Sequence, residues 1–362
     1  MKRFILVLAA LALVLVAFAA GIGVAAQDAT ATPAPTATPI PPPPAGEVTQ
    51  RIIDRGSLIC GVNQTLPGFG FPNDAGEFTG FDVDVCRAVA AAILGDASSV
   101  TYRPITAAER FPVLSSGEVD MISRNTTNTL LRDTLWGATF APTTFYDGQG
   151  VMVMADSGIS ALADLEGGTI CTNAGTTTEQ NITDAMNGAG LEFDLQTFQD
   201  FDGVMSAFFE GRCDAVTSDI SGLASRRAVA PDPGALAILD VVLSKEPLGP
   251  LTSASDDQFG DIVRWVVYGL IQAEELGITS ENIGDFMASE DPVVQRFLGL
   301  NGNNLGASLN LPADFMATVI TQVGNYGEIF DRNLGPDTIF GLSRGVNALW
   351  TDGGLMYSPP FR

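Results

Sequence analysis

The chain has 362 residues, enough for two domains of ordinary size, and 46% of them are apolar, so a sizeable core is available. Its 18 basic and 42 acidic residues leave a formal charge of -24, which excludes a nucleic-acid partner that would need a positive face. Histidine is absent, which removes the commonest acid or base for catalysis near neutral pH.

The first 26 residues read as an export signal. Lys2 and Arg3 precede an unbroken apolar run from Phe4 to Ala20, and Val24-Ala25-Ala26 offers small residues for cleavage before Gln27. A helix needs about 20 apolar residues to span a bilayer, so an uncleaved N-terminal anchor is the alternative. No cysteine follows the apolar run, which leaves lipid attachment without an acceptor. Residues 27–49 are mostly Ala, Thr and Pro and end near the run Pro41 to Pro44, a composition expected to stay extended and disordered as a spacer.

Beyond the spacer the pattern is α/β. Strands are expected at Leu58–Val62, Val100–Pro104 and Val119–Ser123, with helices at Gly80–Leu94 and Glu109–Leu114 between them. The alternation then restarts. Strands over Val151–Ala155, Thr169–Thr172, Glu192–Phe198, Ala215–Thr217 and Ile238–Leu243 enclose a helical turn at Leu162–Leu165 and helices at Thr177–Gly188 and Phe201–Glu210. A last amphipathic helix places Phe259, Ile262, Val263, Val266, Val267 and Leu270 on one face. Alternation of this kind predicts parallel sheets with right-handed crossovers, and two units in succession imply two lobes with a ligand cleft between them.

Four cysteines in an exported chain suggest two disulfides, for which three pairings exist. Cys60 lies in the first strand and Cys86 in the helix after it, while Cys171 and Cys213 fall in the middle of the chain. The pairs 60–86 and 171–213 are therefore expected, one in each lobe. No CxxC spacing accompanies them, so a metal site is not expected, and no cofactor is implied.

Polar residues gather just after predicted strand ends. Arg132, assisted by Asn125 and Thr127, is the leading candidate for gripping a carboxylate, because a guanidinium donates two parallel bonds to one. The role of Arg124 is left open. Gly175 would let the backbone approach a ligand, and the amides of Thr176 and Thr177 at the start of a helix would favour the same carboxylate. Asp219 is the natural partner for an ammonium group, and Phe69 and Phe81 are candidates to lie against an aliphatic side chain, although Phe81 fits equally well as a core anchor.

Several separated blocks carry a family resemblance. Cys60-Gly-Val-Asn63, Leu66-Pro-Gly-Phe69, Gly80-Phe-Asp-Val-Asp-Val-Cys-Arg-Ala-Val-Ala90, Arg124-Asn-Thr-Thr127, Tyr146-Asp-Gly-Gln-Gly150, Ser244-Lys-Glu-Pro-Leu-Gly-Pro250 and Gln322-Val-Gly-Asn-Tyr-Gly-Glu-Ile-Phe330 resemble the periplasmic general L-amino-acid-binding proteins of polar amino-acid ABC importers. The resemblance spans about residues 50 to 362. It implies a type II periplasmic-binding-protein fold, an α/β architecture of two lobes joined by a two-stranded hinge. Residues 50–148 would form the first part of lobe 1, 149–244 lobe 2, and 245–362 the return to lobe 1 with a C-terminal extension.

By the same resemblance Arg132 falls on the carboxylate-binding arginine, Thr127 on its assisting hydroxyl, Thr176 or Thr177 on the threonine of the second lobe, and Asp219 on the ammonium-binding aspartate. Smaller relatives carry a Ser-rich segment where this chain has Arg124-Asn-Thr-Thr127. The implied activity is binding of L-amino acids of broad type and delivery to a membrane permease coupled to an ATPase, by a monomer in the periplasm or on the outer face of the cytoplasmic membrane, free or tethered by its N-terminus. A lyase of the cyclohexadienyl dehydratase type and an envelope amino-acid sensor are the alternatives on the same fold.

Overall fold

The computed structural model describes residues 44–362. The signal or anchor segment, and the spacer up to residue 43, lie outside the described residues. The chain is already helical from Glu47, inside the stretch assigned to the spacer, because the helix Glu47–Arg55 has an apolar face to bury: Val48, Thr49 and Ile52 are inside. Asp256 accepts from the Val48 amide at 2.8 Å, and Arg51 and Arg55 both pair with the buried Asp120. Arg55 in the last turn and the left-handed Gly56 after it end the helix in the usual way.

Thirteen strands are described. In chain order β1 is Leu58–Val62, β2 Phe71–Pro72, β3 Phe78–Thr79, β4 Val100–Pro104, β5 Met121–Ile122, β6 Ala138–Phe140 and β7 Phe145–Met154. They continue as β8 Thr169–Asn173, β9 Asp194–Phe198, β10 Ala215–Asp219, β11 Leu236–Ile238, β12 Lys245–Leu248 and β13 Leu251–Ser253. One sheet has the order β4-β1-β5-β13-β6, and the other β11-β7-β10-β8-β9. Each is the sheet of one lobe.

Both sheets are mixed, where wholly parallel sheets are expected from the alternation. The β1, β4 and β5 pairs are parallel, as are β8 with β9 and β10, but β13 runs antiparallel to β5 and β6, and β7 antiparallel to β10 and β11. The cause is the double passage between lobes. The ten-residue β7 leaves lobe 1 and enters the second sheet, β12 returns beside it with Lys245 opposite Gly148, and β13 re-enters the first sheet against the local strand direction. This antiparallel pair is the two-stranded connection of a type II fold.

Other elements sit close to expectation, with two differences. The third strand shrinks to Met121–Ile122, and the strand expected over Ile238–Leu243 is instead Leu236–Ile238. Residues 239–243 keep only isolated bonds to β7, from the Leu239 amide to Val151 and from the Leu243 amide to Gln149, both 2.9 Å.

The larger core lies in lobe 1, where the alanine-rich helix Phe81–Leu94 packs on the helix Phe315–Val323, so the C-terminal third completes the first lobe. Gly80 permits this seating. Its φ is 132°, and a Cβ there would lie 2.2 Å from the Phe69 carbonyl oxygen. The cysteines pair as 60–86 and 171–213. Asn347, far along the chain, clamps the connecting strand by bonding both the amide and the carbonyl of Tyr146.

Candidate functional site

The polar residues of the site stand at or just past the carboxyl ends of strands, the place where open α/β sheets leave room for a ligand. Asn63 follows β1, Arg110 opens the short helix after β4, and Arg124, Asn125 and Thr127 follow β5. From the other lobe, Thr176, Thr177 and Thr178 follow β8, and Ser218 and Asp219 end β10. All of these, with Arg132 and Arg226, line a single cleft. Two sheets facing one gap therefore gather residues spread over more than a hundred positions.

Of the residues expected from sequence, Asn125, Thr127, Arg132, Thr176, Thr177 and Asp219 all meet there. Thr176 caps its helix, accepting from the Glu179 amide at 3.2 Å, while its hydroxyl donates to the Asn173 carbonyl at 2.7 Å. Thr127 and Thr177, from opposite lobes, both donate to Oε2 of Glu246 on β12, at 2.5 and 2.9 Å. Asn125 stands in the left-handed region at φ 28°, a strain that asparagine tolerates, and its amide donates to Asp82 at 2.7 Å.

Burial sets the electrostatics. The Asp219 carboxyl is pushed well above the usual carboxylate range, first by loss of solvent and then by the neighbouring Asp147 and Glu246. Burial also raises Asp82, to about 6, against the pull of the Asn125 amide and the Arg124 charge. The guanidiniums shift the other way. Arg124 drops to about 10 and Arg226 to about 9, both chiefly by burial, and Arg110 and Arg132 fall for the same reason, Arg110 being further repelled by Arg132 and Arg124. A cleft that strains charges of both signs would be relieved by a ligand carrying the complementary ones.

Comparison with known proteins agrees with that geometry. Residues 58–189 match the model of the bacterial extracellular solute-binding proteins, family 3. A glutamate/glutamine/aspartate/asparagine-binding protein of Rhodobacter capsulatus is 47% identical over 309 residues, covering 85% of this chain and 91% of that protein. The chain belongs to family 3 of the bacterial extracellular solute-binding proteins. A general L-amino acid-binding periplasmic protein of Rhizobium johnstonii is 46% identical over the same coverage. A periplasmic binding protein from Brucella ovis, solved with glutathione bound, superposes with a TM-score of 0.84 at 43% identity, covering 87% of this chain and 99% of that one. Membership in family 3 makes the protein an extracytoplasmic binding component and not an enzyme.

One sequence expectation fails in this family 3 member, Phe69 as a ligand contact, and Phe81 takes the second of its two readings, the core anchor. Phe69 and Phe81 do not line the cleft. Both are buried in an aromatic core, where their rings are 6.1 Å apart and each meets Phe145 edge-on, at 5.2 and 5.9 Å. The loop bearing Phe69 folds back over the helix that Phe81 begins, so both rings face inward. Conversely Arg110 and Arg226 line the cleft but were not singled out by sequence. Arg110 follows a strand end and was open to the same reasoning as Arg132. Arg226 had no such signal, since only the packed helix Ile220–Ala228 shows that Arg226 turns inward.

Proposed function

We propose that this protein is the extracytoplasmic receptor of an ABC importer, holding an L-amino acid between its lobes and presenting the closed form to a membrane permease coupled to an ATPase. Arg132, aided by Thr127 and the amides of Thr176 and Thr177, would take the α-carboxylate, and Asp219 the α-ammonium. The single observation that carries this reading is that Arg132 of lobe 1 and Asp219 of lobe 2 line one cleft. The names of the relatives from Rhodobacter and Rhizobium point the same way.

The connecting pair β7 and β12 gives closure a simple route, a change of angle between lobes that each keep their own sheet. A ligand bridging them adds contacts that an open form lacks, and the closed face becomes the signal read at the membrane. Isothermal titration with a panel of L-amino acids tests this. Saturable heat with several of them is expected, and a folded protein that gives no heat and no thermal shift with any would overturn it.

A further inference from the structure

Four guanidiniums, those of Arg110, Arg124, Arg132 and Arg226, line the cleft, and Asp219 is the one carboxylate among its lining residues. Among the described residues no carboxylate oxygen lies within ion-pair distance of any of the four. The acidic groups behind the walls are engaged elsewhere: Asp82 accepts from Asn125, Glu246 from four side chains, and Asp147 from Ser221. The nearest carboxylates act on these guanidiniums only through space, Asp82 on Arg124 and Glu246 on Arg132, so the cleft keeps charge-assisted donors for an anion brought from outside.

The four differ in what they have left to give. Arg110 donates to Ala107 O at 2.8 Å, and to Thr126 Oγ1 and Gly175 O at 3.3 Å each, the last reaching across to lobe 2. Arg226 donates to Gly222 O and Thr65 O at 3.2 Å and lies 3.8 Å from the centre of the Phe201 ring. These two are tied into lobe contacts. By contrast Arg124 commits only its Nε, to Ile105 O at 2.8 Å, and Arg132 only one Nη, to Thr127 O at 3.0 Å. Two forks therefore keep donors with no acceptor among the described residues, and a fork of this kind matches one carboxylate.

Resting on the amino-acid reading above, we propose that the ligand carries a second carboxylate beside its α-carboxylate and α-ammonium, and that Arg124 is the residue that selects it. Arg132 holds one carboxylate and Arg124 the other, while Asp219 holds the ammonium. The local guanidiniums override the repulsion expected from a chain of formal charge -24. Free dicarboxylic amino acids and γ-glutamyl peptides share this chemistry.

Titration calorimetry with glutamate, aspartate and glutathione against glutamine and asparagine tests it in the intact protein. Glutamate or glutathione is expected to bind about 10- to 100-fold more tightly than glutamine, the discrimination a charge-assisted pair supplies. Which of the two binds more tightly distinguishes a free amino acid from a peptide. In Arg124→Met the ratio of glutamate to glutamine affinity should fall to near one. A wild-type ratio near one overturns the proposal without need of any variant, and so does a ratio that Arg124→Met leaves as in the wild type. Binding of neutral amino acids with no preference for the acidic ligands, or with none of the acidic ligands bound, sinks this inference alone, whereas no binding across the whole L-amino-acid panel sinks the amino-acid reading itself.

Discussion

Asn125 and Asp219 meet across the cleft, the Asn125 Nδ2 donating to Asp219 Oδ2 at 3.2 Å. The bond joins the two lobes and occupies the carboxylate proposed for an ammonium. It also stabilises the ionised form of Asp219, but less than burial and the nearby Asp147 and Glu246 disfavour it, so the carboxyl is raised overall. A ligand ammonium arriving there must displace a proton wherever the group is still protonated.

Affinity should therefore rise with pH from the ordinary carboxylate range upward and level off once Asp219 is ionised in the free protein. The sign for stability is the opposite. A carboxyl raised by folding binds more protons folded than unfolded, so its contribution is full below the unfolded value and is lost as pH climbs through the folded one. Calorimetry in two buffers of different ionisation enthalpy should detect proton release on binding in the acidic range, and Asp219→Asn should abolish it. Equal heats in both buffers for the wild-type protein would show that Asp219 does not give up a proton to ligand.

Arg132→Ala should weaken amino-acid binding by about 2–5 kcal/mol, the usual cost of truncating one partner of a buried charged pair. Arg132→Lys should recover only part of this, because an ammonium keeps the charge but not the planar fork. Affinities of the two variants, with melting curves to confirm folding, settle the point. A loss below about 0.5 kcal/mol in the alanine variant, within the range of ordinary surface substitutions, would remove Arg132 from the site.

Much of this architecture was legible in the sequence, and the parts that were not share a cause. Strands such as Val100–Pro104 and helices such as Phe81–Leu94 announce themselves by apolar period, and residues after strand ends could be nominated as ligands without knowing the fold. Phe69 misled, and Phe81 stayed open between two readings, because an aromatic beside a glycine-rich loop looks the same in sequence whether the loop faces a cleft or folds onto a core. Arg226 and Arg227 are adjacent and chemically identical, and only helix packing decides that Arg226 is the buried one. Mixed strand direction escaped because it is a property of the return path, not of any local segment.

The 171–213 disulfide ties β8 to the turn before β10, closing a loop of sequence separation 42. The chain-entropy estimate for such a loop is about 4 kcal/mol. Replacing both cysteines by serine should lower lobe 2 stability by about that amount, read as a lowered denaturant midpoint with a steeper slope, since the released unfolded chain exposes more surface. Reduction of the wild-type protein opens the 60–86 bridge as well and should destabilise it further. A variant that unfolds at the wild-type midpoint would mean the bridge constrains nothing the fold does not already hold.

Glu246 sets the last expectation. It lies buried on β12, and its two oxygens accept from Thr127 of lobe 1, from Thr177 and Asn181 of lobe 2, and from Ser244 on the returning chain, at 2.5, 2.9, 2.7 and 2.5 Å. A carboxylate can accept all four bonds. An amide fits only with its NH2 turned toward Thr127 and Thr177, whose hydroxyls must then accept and are left without the acceptor they had. Glu246→Gln should therefore cost about 1–3 kcal/mol of stability for the groups left unmet. Since two of those donors sit on opposite lobes, the loss falls more heavily on the closed arrangement than on an open one. Ligand-free Glu246→Gln should scatter with a larger radius of gyration than wild type and bind more weakly in proportion to its smaller closed fraction. Small-angle scattering with and without ligand checks both halves. An unchanged radius together with a lowered melting temperature would mean that Glu246 braces the connecting strands without biasing closure.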